Sequence, residues 1–287
     1  MIVDNPGIVR WGSGPIAFEL ESRDREVIES ANRVFGNWRP DVGAKVHRRW
    51  HAERRAGAFV VTPRRCTGDG EEPAPIRHAD HAVTIVEYAA IAEIVESSNG
   101  ILCFHAALLS KNDKSIAIVG PSGAGKSTLA TGLWQHGWRF HCDDLTMIAE
   151  GRALAAPRRV ALRAGCREHV GGELWSRVPQ TPGYYKTDEG CLFQPMQLDG
   201  TEPSRTKLSA VFFLKRLGST VNAPPRHLPS AHAAVALLPY TNVVRNLAFL
   251  EALAPVASLM STVAAWDLPQ RPLPEMIDTV ERLTRGN

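Results

Sequence analysis

The chain has 287 residues, 44% of them hydrophobic and 22% charged, with a formal net charge of +3. These proportions fit an ordinary globular protein of one large or two modest domains and exclude a disordered or fibrous chain. The charge is too small to imply nucleic-acid binding, no apolar run reaches membrane-span length, and the N-terminus lacks a signal peptide's basic and apolar regions, so a cytoplasmic protein without membrane contact is expected.

Residues 8–20 hold short apolar stretches broken by Gly12, Gly14 and Pro15, which predicts one or two strands. A helix follows with Ser22 as its N-cap; Val27, Ile28, Ala31, Val34 and Phe35 share one face, and Gly36 ends it. The basic segment at residues 47–55, with Trp50 embedded, reads as a solvated surface strip, because no nucleic-acid motif surrounds it. Residues 58–61 form a strand, and residues 63–75 are a polar, breaker-rich loop. Residues 84–96 suit a helix ending at Asn99-Gly100. The stretch 1–99 therefore reads as a small accessory α/β domain, and 100–287 as a second unit.

The second unit opens with a strand-like run at 101–109, a polar turn at 111–114 and an apolar strand at 116–119. Two strands joined by so short a turn are antiparallel, since a parallel pair needs a long crossover. Gly120, Pro121, Ser122, Gly123, Ala124, Gly125, Lys126 and Ser127 then match G-x-x-x-x-G-K-[ST], with Thr128 opening a helix. Each residue type answers a demand of triphosphate binding. The glycines let backbone N–H groups turn toward a phosphate, Lys126 reaches β/γ oxygens, and the Ser127 hydroxyl ligands Mg²⁺. The positive N-terminus of the helix adds to anion binding. ATP and Mg²⁺ are the expected cofactors.

Gly137 is the expected C-cap of that helix, and residues 138–142 form a strand ending on Asp143-Asp144. Further strands are expected at 159–163 and 208–215, with breaker-rich loops at 179–189 and 218–229 long enough to act as lids. A helix at 246–259, a strand at 263–268 and a helix from Pro274 complete the chain. Cys66, Cys103, Cys142, Cys166 and Cys191 form no C-x-x-C pair, so reduced thiols are expected rather than disulfides or a zinc site. Glu168, His169, Glu173 and the Tyr184-Tyr185-Lys186 stretch read as surface.

Asp144 lies 18 residues after Lys126, which leaves room for one helix and one strand and returns the acid pair to the phosphate end of the sheet. Asp143 and Asp144 are, with Ser127, the candidate Mg²⁺ ligands: one carboxylate can hold the ion directly or through water, while the other accepts a proton from an attacking hydroxyl. The plainer alternative is that the pair caps a turn or orders metal-bound water.

The His105 strand (residues 104–109), the short turn, the 120–128 loop, and residues 137–140 leading to Asp143-Asp144 resemble the catalytic domain of HPr kinase/phosphorylase and its relatives. The likeness is specific between about 101 and 148 and thin elsewhere. It implies that Asp144 is the base that deprotonates a serine hydroxyl, that Asp143 assists with metal, and that His105 stands near both. Residues 243–248 resemble that family's arginine-asparagine-leucine-alanine segment, which implies Arg245 as a cation for phosphate or acceptor. Two departures stand out: Thr128 replaces the glutamate usual after the loop serine, and Ala161 replaces a carboxylate two positions before Arg163. The second removes a metal ligand and leaves the phosphorylase half of the chemistry without support. The pattern is closer to kinase-only relatives found beside peptide- or cofactor-maturation genes. Members of the family are often hexamers, so a homo-oligomer is within what the resemblance implies, although no interface is legible.

The expected fold is thus α/β, a P-loop kinase domain of the HPr kinase type with a smaller N-terminal α/β domain. The expected activity is transfer of the γ-phosphoryl group of ATP to a hydroxyl, most naturally a serine of a protein or peptide. A small-molecule kinase and a slowly hydrolysing nucleotide switch are the alternatives.

Overall fold

A computed structural model describes residues 2–36, 38–63, 76–97, 101–149, 151–156, 158–181, 183–195, 206–215, 223–241 and 249–286. The N-terminal stretch forms one three-stranded sheet in which β1 (Ile2–Asp24) runs parallel to β2 (Pro40–Arg55), and β2 turns back antiparallel onto β3 (Ala58–Pro63). The β2–β3 turn is the two-residue Ala56-Gly57, with φ of 47° and 83°, the positive pair that matches strand twist. The apolar stretches around 8–20 both fall within β1, which folds back at Gly14 (φ 57°) and brings Gly12 against the Ile16 carbonyl.

Helix α1 (Arg25–Phe35) starts later than the sequence predicts. Asp24, not Ser22, is its N-cap and accepts from the Glu26 N–H at 2.9 Å. Ser22 stays in β1 and donates its hydroxyl to the Ala52 carbonyl on β2, which withdraws it from the capping role. α2 (Ala79–Ser97) is longer than expected and buries Ala82, Val83, Val86, Ala90 and Ile94 along one face. Trp11 stacks on Phe35 at 4.2 Å between β1 and α1. In β2 the basic strip is largely balanced: Arg48 pairs with Glu93, Arg49 with Glu19, and Arg54 with Asp24 and Glu26.

The run expected as one strand over 101–109 breaks at His105. β4 (Leu102–Phe104) and β5 (Ala106–Lys111) enter different sheets. β5 turns through Asn112 and Asp113 (φ 50° and 61°) into β6 (Lys114–Val119), antiparallel as expected, with Ala106 opposite Val119. The glycine-rich loop follows, then α3 (Lys126–Gln135). His136 is its C-cap; Gly137, one position beyond at φ 80°, lets Trp138 N–H reach the Leu133 carbonyl and its own N–H reach that of Trp134.

β7 (Arg139–Cys142) returns beside β5, and β8 (Thr146–Ala149) and β9 (Arg152–Ala155) complete a small antiparallel sheet with β4. β10 (Val160–Arg163), α4 (Arg167–Val170), α5 (Gly172–Arg177), β11 (Tyr185–Lys186) and β12 (Gly190–Phe193) follow, the three strands pairing antiparallel. The 179–189 stretch expected as a lid is pinned instead: Tyr185 pairs in register with Leu192 and stacks on His81, and the Gly183 carbonyl accepts from buried Arg159. β13 (Leu208–Leu214), β14 (Arg226–His227), α6 (Ser230–Leu237), α7 (Phe249–Met260), β15 (Ala264–Leu268) and α8 (Leu273–Arg285) complete the described elements.

The main sheet orders β14-β15-β13-β6-β5-β7, with β15, β13 and β6 parallel at its centre. Their near-continuous apolar runs suit strands covered on both faces. Alternation splits the core: Leu108, Ala117 and Val119 face a cluster shared with Phe18, Val83 and Met260, while Leu109, Ile116 and Ile118 face α3, α8 and β10. The apolar core on the first side runs without a break from β1 and α2 into this sheet.

Candidate active site

Topology alone gathers the predicted residues. The loop leaves the carboxyl end of β6, between a parallel neighbour (β13) and an antiparallel one (β5), the kind of switch point where open α/β sheets bind ligands. Because β5 runs opposite to β6, His105 at its start lies at that same end. β7 is antiparallel to β5, so its last residues also finish there and deliver Asp143-Asp144.

Gly123 and Gly125 take φ of 80° and 90°, left-handed conformations that a side chain resists, and space for a Cβ at Gly123 is open. The Ala124 N–H donates to the Pro121 carbonyl, and the buried Ala124 anchors the loop while Ser122 and Gly123 are exposed at its tip. Lys126 Nζ lies 2.9 Å from the Gly120 carbonyl oxygen. Gln270, just past β15, donates its side-chain amide to the carbonyls of Ala124 and Lys215 and so ties the loop to the ends of the parallel strands. Thr128 faces elsewhere, donating to Cys166 Sγ at 3.1 Å.

Ser127 Oγ donates to Asp143 Oδ2 at 2.8 Å, and the Ala161 N–H donates to the same oxygen at 3.2 Å. Asp143 is 1% exposed, and its Oδ1 has no hydrogen-bond partner. Burial, with Asp144 beside it, pushes the Asp143 carboxyl above the usual carboxylate range, and Ser127 and Arg158 only partly offset this. A buried carboxylate oxygen left without a donor is what a bound cation would satisfy, so the residues present fit Mg²⁺ at Ser127 and Asp143. Among the described residues no group of three His, Cys, Asp or Glu side chains is placed to hold a metal. Phosphate oxygens would therefore have to complete the shell, as is usual for this ion.

Asp144 has φ 68°, and the Leu145 N–H donates to the Asp143 carbonyl at 2.9 Å across it. That is a γ-turn of the rarer, positive-φ kind, and it points consecutive carboxylates in different directions. Asp144 Oδ2 accepts from Arg158 Nη1 at 2.8 Å; Oδ1 stands 3.6 Å from His105 Nδ1, an ion-pair distance rather than a hydrogen bond. Burial pushes the Asp144 carboxyl up, but His105, Arg158 and Lys126 together outweigh it and hold the group below its ordinary value. The two acids are thereby driven apart, one toward the neutral form and one toward the charged form. Burial also pushes the adjacent Cys142 thiol up to about 12, so it stays protonated.

Loop, Lys126, Ser127, Asp143, Asp144 and His105 are thus brought together; Arg245 lies outside the described residues. Arg158, Gln270 and a buried pair behind them were not foreseen. Arg158 lies 5.2 Å over the Tyr88 ring of α2, and its neighbour Arg159 is clamped by Glu87 of the same helix. The doublet Arg158-Arg159 entering a short strand is the one trace of this in the sequence, and partners about 70 residues away cannot be read from it.

No protein-family model matches the chain, and no curated protein matches it. Among solved structures, the HPr(Ser) kinase/phosphatase from Coxiella burnetii matches at 17% identity, covering 64% of this chain and 95% of that one, with a TM-score of 0.34. The chain has a mixed α/β fold with this kinase/phosphatase as a distant structural neighbour, and a likeness at that level carries no argument about chemistry.

Proposed function

We propose that the protein is a Mg-ATP-dependent kinase that transfers the γ-phosphoryl group to a hydroxyl, with a serine of a protein or peptide as acceptor. The observation that carries this reading is the 2.8 Å bond between Ser127 of the loop and Asp143, with Asp144 presented separately on the next residue. On this reading the backbone N–H groups of residues 122–127 and Lys126 cradle the phosphates, and residues 100–287 carry the chemistry beside an accessory unit in 1–99. Ser127 and Asp143 would hold Mg²⁺, which when bound supplies charge neutralisation at the phosphates.

Asp144 acts as the base. The acceptor oxygen forms a bond to phosphorus as the bond to the ADP oxygen breaks, and the hydroxyl proton passes to Asp144. A carboxylate held below its ordinary pKa suits this step, because in a loose transition state the proton becomes acidic only as the new bond forms. Arg158, at 16% side-chain exposure, keeps Asp144 ionised and adds positive charge near the transfer. Serine-containing peptides with labelled ATP test this reading. Lys126→Ala should lose ATP binding and transfer together, and Asp144→Asn should keep ATP affinity while transfer falls about 10²–10⁴-fold. Transfer by Asp144→Asn at the parental rate removes the base assignment, and equal, acceptor-independent phosphate release by the parent protein points instead to a switch.

A further inference from the structure

A cavity of about 360 Å³ opens against His105 and Leu145, the spatial and chain neighbours of Asp144. One wall is α2, through Tyr88, Ala92 and Val95; the other is His105, Leu145 and Tyr240. His105 joins it to the chemistry, since its Nδ1 faces Asp144, and Leu145 is the residue that closes the γ-turn over Asp144.

Its lining is mostly apolar. Among the described residues no lysine or arginine lines it, Arg158 lies over the Tyr88 ring at its edge, and Glu96 is its carboxylate. The apolar lining favours an apolar group, with a basic neighbour accommodated at Glu96. The apolar surface also continues beyond the cavity. Ile85 and Tyr88 are 38% and 47% exposed, and with Ala92 and Val95 they mark one stripe of α2 at helical spacing. From Ile85 to Val95 the stripe spans about 15 Å at 1.5 Å per residue, the length of about four or five residues of extended chain. A small alcohol has no use for such a track, whereas a peptide segment does.

We infer that the α2 stripe and the adjoining cavity bind an extended, hydroxyl-bearing peptide segment whose apolar side chain beside the hydroxyl enters the cavity. This rests on the kinase reading for its orientation but not for its measurement, which needs no nucleotide. The probe is an array of immobilised nine-residue peptides with a central serine, flanked on either side by leucine, lysine, aspartate or alanine, exposed to fluorescently labelled full-length protein without ATP.

The parent protein should retain leucine-flanked peptides at least ten-fold above aspartate-flanked ones. Ala92→Arg, at an exposed helix position, should lose that preference, and Ala92→Ser should keep it. Val235→Arg, which removes an equally apolar exposed residue on α6, should leave retention unchanged. Thermal melts establish that each variant is folded. Retention without regard to flank, retention by Ala92→Arg equal to the parent, or no retention of any peptide overturns the inference. Retention that follows the expected pattern in a protein that fails to bind ATP leaves the groove standing and sinks the kinase assignment alone.

Discussion

Glu87→Leu removes one half of a deeply buried ion pair that joins α2 to the start of β10. The side chains of Arg159 and Glu87 are 1% and 3% exposed. Glu87 Oε1 accepts the Arg159 backbone N–H at 2.6 Å, while Oε2 accepts from Nε at 2.9 Å and from Nη2 at 2.8 Å. Arg159 keeps only the Gly183 carbonyl and the Thr84 hydroxyl when Glu87 is lost, so a guanidinium remains buried without its counter-charge. Breaking such a pair costs about 3–5 kcal/mol. At about 2–4 °C per kcal/mol for a chain of this size class, Tm should fall by about 6–20 °C in a calorimetric or circular-dichroism melt. The double variant Glu87→Leu/Arg159→Met removes both charges and should melt above the single one. A single variant losing under about 1 kcal/mol, or a double variant losing the sum of the two singles, refutes the claim that the cost lies in the orphaned charge.

Three further outcomes follow from the site. Asp143 has a raised carboxyl pKa, so ionising it costs stability that is lost as pH rises from the unfolded carboxylate range through its folded value. Asp143→Asn should therefore raise Tm at pH 7, with the gain shrinking toward acid pH, while abolishing transfer; a lower Tm at pH 7 contradicts the sign. Asp144 has a lowered pKa, so its contribution is present above the unfolded value and disappears as pH falls through the folded one. Arg158→Met should move the acidic limb of any transfer–pH profile upward, and an unmoved limb separates Arg158 from Asp144. Gly125→Ala places a Cβ at φ 90° and should lower stability by about 1–2 kcal/mol in urea titration; an unchanged midpoint would mean the loop relaxes out of that conformation.

The glycine-rich loop, the hairpin before it and the return of the acid pair were legible because each depends on local rules: fixed spacing, a two-residue turn, and the length of one helix plus one strand. The break at His105 was not, because one histidine in an otherwise apolar run does not say that half of it pairs with β8 and half with β6. Ser22 is the expected cap of α1, but the Ala52 carbonyl 30 residues away takes its hydroxyl and Asp24 caps instead. Arg158 and Glu87 were invisible for the same reason, since their partners meet only once α2 has packed on the sheet. Even α2 hid its exposed stripe: apolar residues occupy both its faces, so periodicity could not separate the buried side from the open one.

The sharp backbone at Asp144 sets two selective pressures against each other. An L-residue in a γ-turn at φ 68° carries strain on the order of 1 kcal/mol, which glycine would largely relieve. Propagated under heat alone, a population of this gene should drift toward glycine at position 144 and become sturdier and inert; propagated for phosphate transfer, it should keep the aspartate and tolerate the discomfort.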